Sequence, residues 1–349
     1  MIYENNVIIG SSSITCLSSN NDINMEALIS GLPFYSLNPF SVDCFEFQRN
    51  GRIAEELIAN ILDSFDIKPK NKKFFDRSSA AIFYCVNSFA RLIERSAAPD
   101  TALFVSTGPA NTRLSDFIEW GRESASDKGS IYPKLMASSV VKLLPNIVMS
   151  NISINMGING ENAIFSATSA APACALESAC MAIEDKTTPS AIAAAVSMPY
   201  EYFNIDSYRR FFYDDFFTVP LCEGASALMA FDRETVLKDA GLKNAITGSI
   251  KKIDVFKMDD KLCRQASTDG RGFIDALKSE YGVDVKKYEI FKLNPSGSGN
   301  FLSASEPLSV LSVMSALNSK MSTGEGLSIC ADYFGNVSVI TAAGKYGSS

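Results

Sequence analysis

The sequence predicts an α/β protein in which buried strands alternate with helices, and three observations carry that expectation. Short apolar runs closed by Gly or Pro recur along the chain, separated by segments with apolar residues at helical spacing. Ala191 to Met198 (AIAAAVSM) is apolar without polar alternation, as in a strand covered on both faces. With 349 residues the chain can bury a substantial core without disulfides or metals.

Taken in order, Asn6 to Gly10 (NVIIG) reads as a buried strand closed by Gly and followed by a serine-rich loop. Ile53 to Leu62 and Ser79 to Ile93 carry helical spacing, and Thr101 to Thr107 (TALFVST) is a β-branched run stopped by Gly108 and Pro109. Tyr132 to Leu144 reads as a helix ended by Pro145. Ala163 to Ala167 (AIFSA) reads as a buried strand. Pro172 opens PACALESACMAI, a helix whose small residues permit close approach and whose Pro sits where a missing N–H costs nothing. Glu201 to Val219 is aromatic and charged, in the manner of an ordered surface loop.

Strands are expected at Ala191 to Met198, Ala225 to Phe231, Ala245 to Ile253, Tyr288 to Leu293, Leu327 to Ala331 and Asn336 to Thr341. Helices are expected at Asp232 to Ala240, Gly272 to Tyr281 and Pro307 to Leu317. Two halves follow, residues 1–235 and 236–349, although no sequence repeat proves a duplication.

Composition excludes several functions. Lys plus Arg total 32 against 39 Asp plus Glu, a formal charge of -7, and nucleic acid is not an expected partner. Local basic pairs, Arg209 with Arg210 and Lys251 with Lys252, could still receive an acidic carrier protein. As isolated pairs they also read as solvated surface. The eight cysteines are scattered without CxxC spacing, which points to reduced thiols in a cytoplasmic protein. The start lacks a secretory pattern, and no apolar run is long enough to span a membrane. NPSGSGN lacks the Gly-Lys-Ser/Thr ending of a phosphate-binding loop. Most telling is the count of 0 His: the chain has no Ser-His-Asp or Cys-His pair and no His-ligated metal.

The segments LPN and ISINMGINGEN, then AIFSATSAAPACALESA, then CEGASALMAFDRE, stand in an order that resembles the β-ketoacyl synthase family, a branch of the thiolase fold. They resemble, respectively, the approach to the family's central strand, the strand with nucleophile turn and buried helix, and the Gly-Glu-Gly-Ala turn with the strand after it. The resemblance implies two similar α/β halves packed as layers α-β-α-β-α.

In that family a Cys at the start of the buried helix attacks the acyl thioester, where helical N–H groups favour thiolate and an amide-lined hole takes the oxyanion. The resemblance puts Thr168 at that position, and a threonine hydroxyl does not attack a thioester without an adjacent base. Thr168 can equally fill space or cap the helix. The family's histidine segments are matched by GSGNFLSASEP, with Asn300 at a His position, or by NPSGSGNFLSASE, with Asn294 there. Neither alignment supplies an imidazole.

Loss of both thiol and imidazole is the pattern of chain-length factors, and the short chain resembles the aryl-polyene type. The resemblance implies no independent activity and no cofactor. It implies a heterodimer with an active ketosynthase through the strand Asn162, Ala163, Ile164, Phe165, Ser166 and Ala167, with acyl carrier protein reaching the chain through that complex. Phe117, Trp120, Tyr132 and Met136 are the expected floor of the partner's acyl pocket, and Phe334 the expected gate. Each of the four floor residues also reads as ordinary core packing.

Three further residues have structural readings beside the functional ones. Cys174, six residues after Thr168, reads as a buried packing thiol. Glu177 reads as a hydrogen-bonded structural residue, a partner-facing one or a buried acid, and Glu223 as a brace for its turn. Rival functions are an active acyltransferase or malonyl decarboxylase of the same fold, and a homodimeric acyl-thioester binding protein.

Overall fold

The computed structural model describes the chain apart from residues 1, 31, 35, 38–39, 43–44, 48–50, 96–99, 109–143, 167–169, 201–204, 206–220, 266–269, 295–304, 333–334 and 348–349. In chain order the first half comprises β1 (Asn6–Thr15), α1 (Asn21–Ser30), β2 (Phe40–Val42), β3 (Phe45–Phe47), α2 (Glu55–Ser64), α3 (Pro69–Lys72), α4 (Arg77–Asn87), α5 (Ala90–Arg95), β4 (Ala102–Thr107), α6 (Asn146–Met156), β5 (Asn162–Ser166), α7 (Ala170–Glu184), β6 (Ser190–Ser197) and β7 (Gly224–Asp232). Beyond these lie α8 (Arg233–Lys238), α9 (Ala240–Asn244), β8 (Gly248–Lys257), α10 (Asp260–Gln265), α11 (Gly270–Tyr281), β9 (Ile290–Asn294), α12 (Ser305–Ser319), β10 (Glu325–Ala331) and β11 (Asn336–Gly344).

Nine strands form one sheet in the order β5-β4-β6-β7-β1-β8-β11-β10-β9. The pairing repeats outward from the β1–β8 seam. On one side β1–β7 and β7–β6 are antiparallel and β6–β4 parallel; on the other, β8–β11 and β11–β10 are antiparallel and β10–β9 parallel. The first half adds β5, parallel to β4. At the seam Ile8 pairs with Gly248 and Ile2 with Lys252, and the Tyr3 N–H donates to the Lys251 carbonyl (2.9 Å) and the Thr247 N–H to the Ile8 carbonyl (2.8 Å). The Asn6 side chain reinforces it, donating to the Ile250 carbonyl and accepting the Ile250 N–H, both at 3.0 Å.

Strand periodicity sorts side chains to two faces. Along β6, Ala191, Ala193 and Ala195 enter a central core with α7 and α12, and Ile192, Ala194 and Val196 enter an outer core with α2 and α4. Ile250, Ile253, Ile340 and Ala342 of the second half join the same central core. Phe273 and Leu277 of α11 cover that half's outer face with Leu327, Ile329, Val337 and Val339. The layers are therefore helix, sheet, helix pair, sheet, helix. Alanines on β6 and α7 let the middle helix approach the sheet closely.

The first strand runs past Gly10 to Thr15, longer than NVIIG suggests. Its serines are paired with β7 through a bulge after Ile8, and asparagines of α1 satisfy the hydroxyls. Ser13 Oγ donates to Asn21 Oδ1 (2.8 Å) and Thr15 Oγ1 to Asn24 Oδ1 (2.7 Å). Gly10 marks a close approach and not a strand end, since a Cβ there would stand 2.9 Å from the Phe89 ring. The expected helix Ser79 to Ile93 is divided into α4 and α5. Ser88 Oγ caps the Cys85 carbonyl at 2.6 Å and the Phe89 N–H takes the tight bond to Val86 O at 3.0 Å. The expected helix over 132–143 lies outside the described residues, as does the expected loop over 201–219 apart from Ile205.

Candidate functional site

The turn that carries Thr168 is framed by described elements on both sides. β5 ends at Ser166, whose Oγ donates to the Gly108 carbonyl at 3.2 Å, tying the ends of β5 and β4 together. After three intervening residues α7 begins at Ala170, with Pro172 in its first turn. Thr168 thus belongs to the connection entering the buried helix, while its own geometry, with that of Ala167, lies outside the described residues.

Among the described residues β5 ends the sheet and pairs with β4 alone. Along it Asn162 and Ser166 are exposed, and Ala163, Ile164 and Phe165 are half-buried. An open edge with a half-covered apolar face is a ready template for another strand. Asn294 is the last residue of β9 and pairs with Cys330 of β10. Asn300, Phe117, Trp120, Tyr132, Met136 and Phe334 lie outside the described residues.

Cys174 is half-buried on α7, not fully buried as its sequence position suggests, because it falls on the same helix face as the half-buried Ala170, Ser178 and Met181. Glu177 is half-buried on the same face. The deep thiols are the ones chemistry cannot reach: burial pushes the Cys85 thiol up to about 12 and raises Cys180 further. Tyr3 is buried beside Cys180, Glu177 and Glu184; burial and then those charges raise its hydroxyl. Glu184 holds the adjoining backbone, accepting the N–H groups of Glu4 and Asn5 at 2.7 Å.

Glu223 is fully buried at the entrance to β7. Its Oε2 accepts the Ile53 N–H (2.9 Å) and the guanidinium of Arg77, itself buried at the start of α4. Arg52 Nε stands 3.9 Å from Oε1, and Arg77 Nη2 also donates to the Ile53 carbonyl at 2.8 Å. Burial raises the Glu223 carboxyl, against the lowering pull of Arg77 and Arg52. The group braces three chain segments.

The expected basic pair Lys251 with Lys252 does not supply a free patch. Lys252 Nζ is paired with Asp254 at 2.6 Å, and burial with the neighbouring Arg233 charge lowers Lys251. Arg209 and Arg210 lie outside the described residues. A stronger basic cluster is the turn Lys68, Lys70, Lys72 and Lys73 around α3, all exposed. Lys72 approaches Asp63 at 3.4 Å, and Asn71 Nδ2 donates to Asn155 Oδ1 of α6 at 3.3 Å, seating the turn against that helix. The signal that finds it is four lysines in six residues of an acidic chain. Among the described residues no group of His, Cys, Asp and Glu has the makings of a metal site, and no helix is long and apolar enough to cross a membrane.

A mixed nine-stranded sheet whose pairing repeats about one seam, with two helices sandwiched between its halves, defines a thiolase-like α/β protein. The sequence model of the β-ketoacyl synthase N-terminal domain matches residues 5–212, and the chain belongs to the β-ketoacyl synthase family. No curated protein matches the sequence.

Solved structures share the fold at low identity. The ishigamide ketosynthase/chain length factor superposes with a TM-score of 0.73 at 14% identity, covering 97% of this chain and 99% of that one. A type II PKS acyl-carrier protein in complex with its ketosynthase (AntDE:AntF) gives a TM-score of 0.70 at 11% identity, covering 98% and 99%. A β-ketoacyl synthase from Burkholderia phymatum STM815 gives 0.64 at 13% identity, covering 98% and 99%.

Proposed function

We propose that this chain is a non-catalytic chain-length factor, of the aryl-polyene type, that pairs with an active ketosynthase and helps shape its acyl pocket. The observation that carries the reading is chemical. A member of a family of thioester chemists has Ala-Thr-Ser between β5 and the buried helix and contains 0 His. Condensation needs a sulfur nucleophile and a group to stabilise the enolate left by decarboxylation. That turn holds no Cys and the chain holds no His, so the fold is retained for another use.

That use is completion of a partner's site. The open edge of β5 offers backbone groups and a half-buried apolar face to a second chain of the same fold, which supports pairing through Asn162 to Ala167. In such a pair the partner's growing chain extends toward the shared seam. Phe117, Trp120, Tyr132 and Met136 are the residues we assign to the pocket floor, with Phe334 as gate. Each methylene accommodated contributes about 0.8 kcal/mol, whereas a blocking side chain costs about 1 to 3 kcal/mol, so length is decided by steric closure. The division into halves at residue 235 falls just after β7, and the repeated pairing order supports it.

An acyl carrier protein is the third component. The lysine turn around α3 gives an acidic carrier a local landing place that the overall charge of -7 does not. The test is co-expression with an active ketosynthase, followed by product-length analysis after Phe117→Ala and Met136→Trp. The expected results are a stable complex, longer products from the first variant and shorter from the second. Condensation by the isolated chain, or unchanged products from intact variant complexes, refutes the reading.

A further inference from the structure

We propose that Glu177 selects a hetero-partner over a second copy of this chain, by requiring a Lys or Arg from the chain that covers α7; this rests on the pairing reading above. Along α7 the residues Ala170, Cys174, Glu177, Ser178, Met181 and Glu184 are half-buried, and the remaining residues of the helix are buried. Their spacing of three and four residues makes one continuous face. That face adjoins the open sheet edge: Met181, one turn beyond Glu177, borders the central core together with Ala163 and Phe165 of β5. Among the described residues, edge strand and helix face therefore form one partly exposed surface.

The two carboxylates on this surface differ. Glu184 is occupied by the backbone N–H groups of Glu4 and Asn5 and by the Asn5 side chain, the last at 2.7 Å. Glu177 has no hydrogen bond or ion pair among the described residues. Neither β5 nor this face of α7 carries Lys or Arg. A two-fold self-contact presents the same patch from both copies, so it brings two Glu177 carboxylates to the seam and no cation from these elements. Covering an ionised carboxylate without a counter-charge is costly, whereas a partner with a cation facing α7 turns the cost into a directed contact. Discrimination thus comes from a repulsive element as much as from an attractive one.

The experiment compares wild type with Glu177→Gln and Glu177→Lys, each checked for native circular dichroism. Self-association of the isolated chain is measured by sedimentation velocity, and affinity for the ketosynthase by titration. Expected are at least tenfold tighter self-association for the Gln variant, at least tenfold weaker binding to the ketosynthase, and a larger loss for Lys. A wild-type chain that binds the ketosynthase as tightly as its Gln variant, with self-association also unchanged, overturns the role of Glu177. A wild-type chain with no affinity for the ketosynthase overturns the pairing reading itself.

Discussion

Removing the Glu223 carboxylate tests whether the buried brace at the entrance to β7 supports the fold. Glu223→Ala removes the buried carboxylate from the Arg77 guanidinium, 1% exposed, leaving the partly exposed Glu55 at 2.8 Å on its other side, and leaves the Ile53 N–H without its acceptor. Breaking a buried pair from one side costs about 3 to 5 kcal/mol, and an unpaired buried N–H about 1 to 3 kcal/mol, with overlap between the two. We expect a total of about 4 to 6 kcal/mol from those ranges, a large part of the stability of an ordinary domain. Glu223→Gln keeps an acceptor for both groups and is expected to cost about 1 to 3 kcal/mol.

The pH dependence has a definite sign. A carboxyl raised above 4.5 in the fold holds its proton more tightly folded than unfolded. Its contribution is therefore complete below pH 4.5 and declines as pH rises through the folded value, whereas the Gln variant lacks that slope. Urea unfolding followed by circular dichroism, at several pH values above 4.5, measures both effects. An Ala variant within about 1 kcal/mol of wild type, as for an exposed pair, would refute the brace. So would a wild type that gains on the Gln variant as pH climbs.

Further outcomes follow from other parts of the molecule. Thr168→Cys alone should not give condensation in the isolated chain, since no imidazole accompanies the new thiol; product detection by mass spectrometry checks this. Reversing Lys68, Lys70, Lys72 and Lys73 to Glu should weaken carrier-protein binding at least tenfold and flatten its salt dependence while leaving the ketosynthase complex intact, as read by titration at two ionic strengths. Native Cys85 should resist a thiol reagent at pH 8 because burial raises it to about 12, and the half-buried Cys16 and Cys174 should be modified before it, as peptide mapping would show.

Much of the fold was legible because the strands are short apolar runs with clear stops, and the small-residue helix after Pro172 announces a crowded middle layer. What the pattern hid has physical causes. The serines of β1 look like a loop, yet asparagines of α1 satisfy their hydroxyls, and α1 itself has no apolar stripe to betray it. The division of α4 from α5 rests on Ser88 bonding back to Cys85, a local choice that helical spacing does not encode. Glu223 could be recognised as a brace, but its partners Arg77 and Ile53 are far away in sequence. The lysine turn was plain in the sequence and was overshadowed by the chain's acidic average. The pairing repeat was invisible because backbone sense carries it, not residue identity.

The seam between the halves has a mechanical consequence. The pairs Ile8–Gly248 and Ile2–Lys252, backbone bonds from Tyr3 and Thr247, and the Asn6 side chain join the two halves of the sheet, a short joint beside the long ladders within each half. The helices between them make up for it, because α7 and α12 lie in a core to which strands of both halves contribute. Neither half keeps a finished inner wall when separated. A chain cut between β7 and β8 would leave two sticky fragments in place of two small proteins, and the molecule should unfold as one cooperative body.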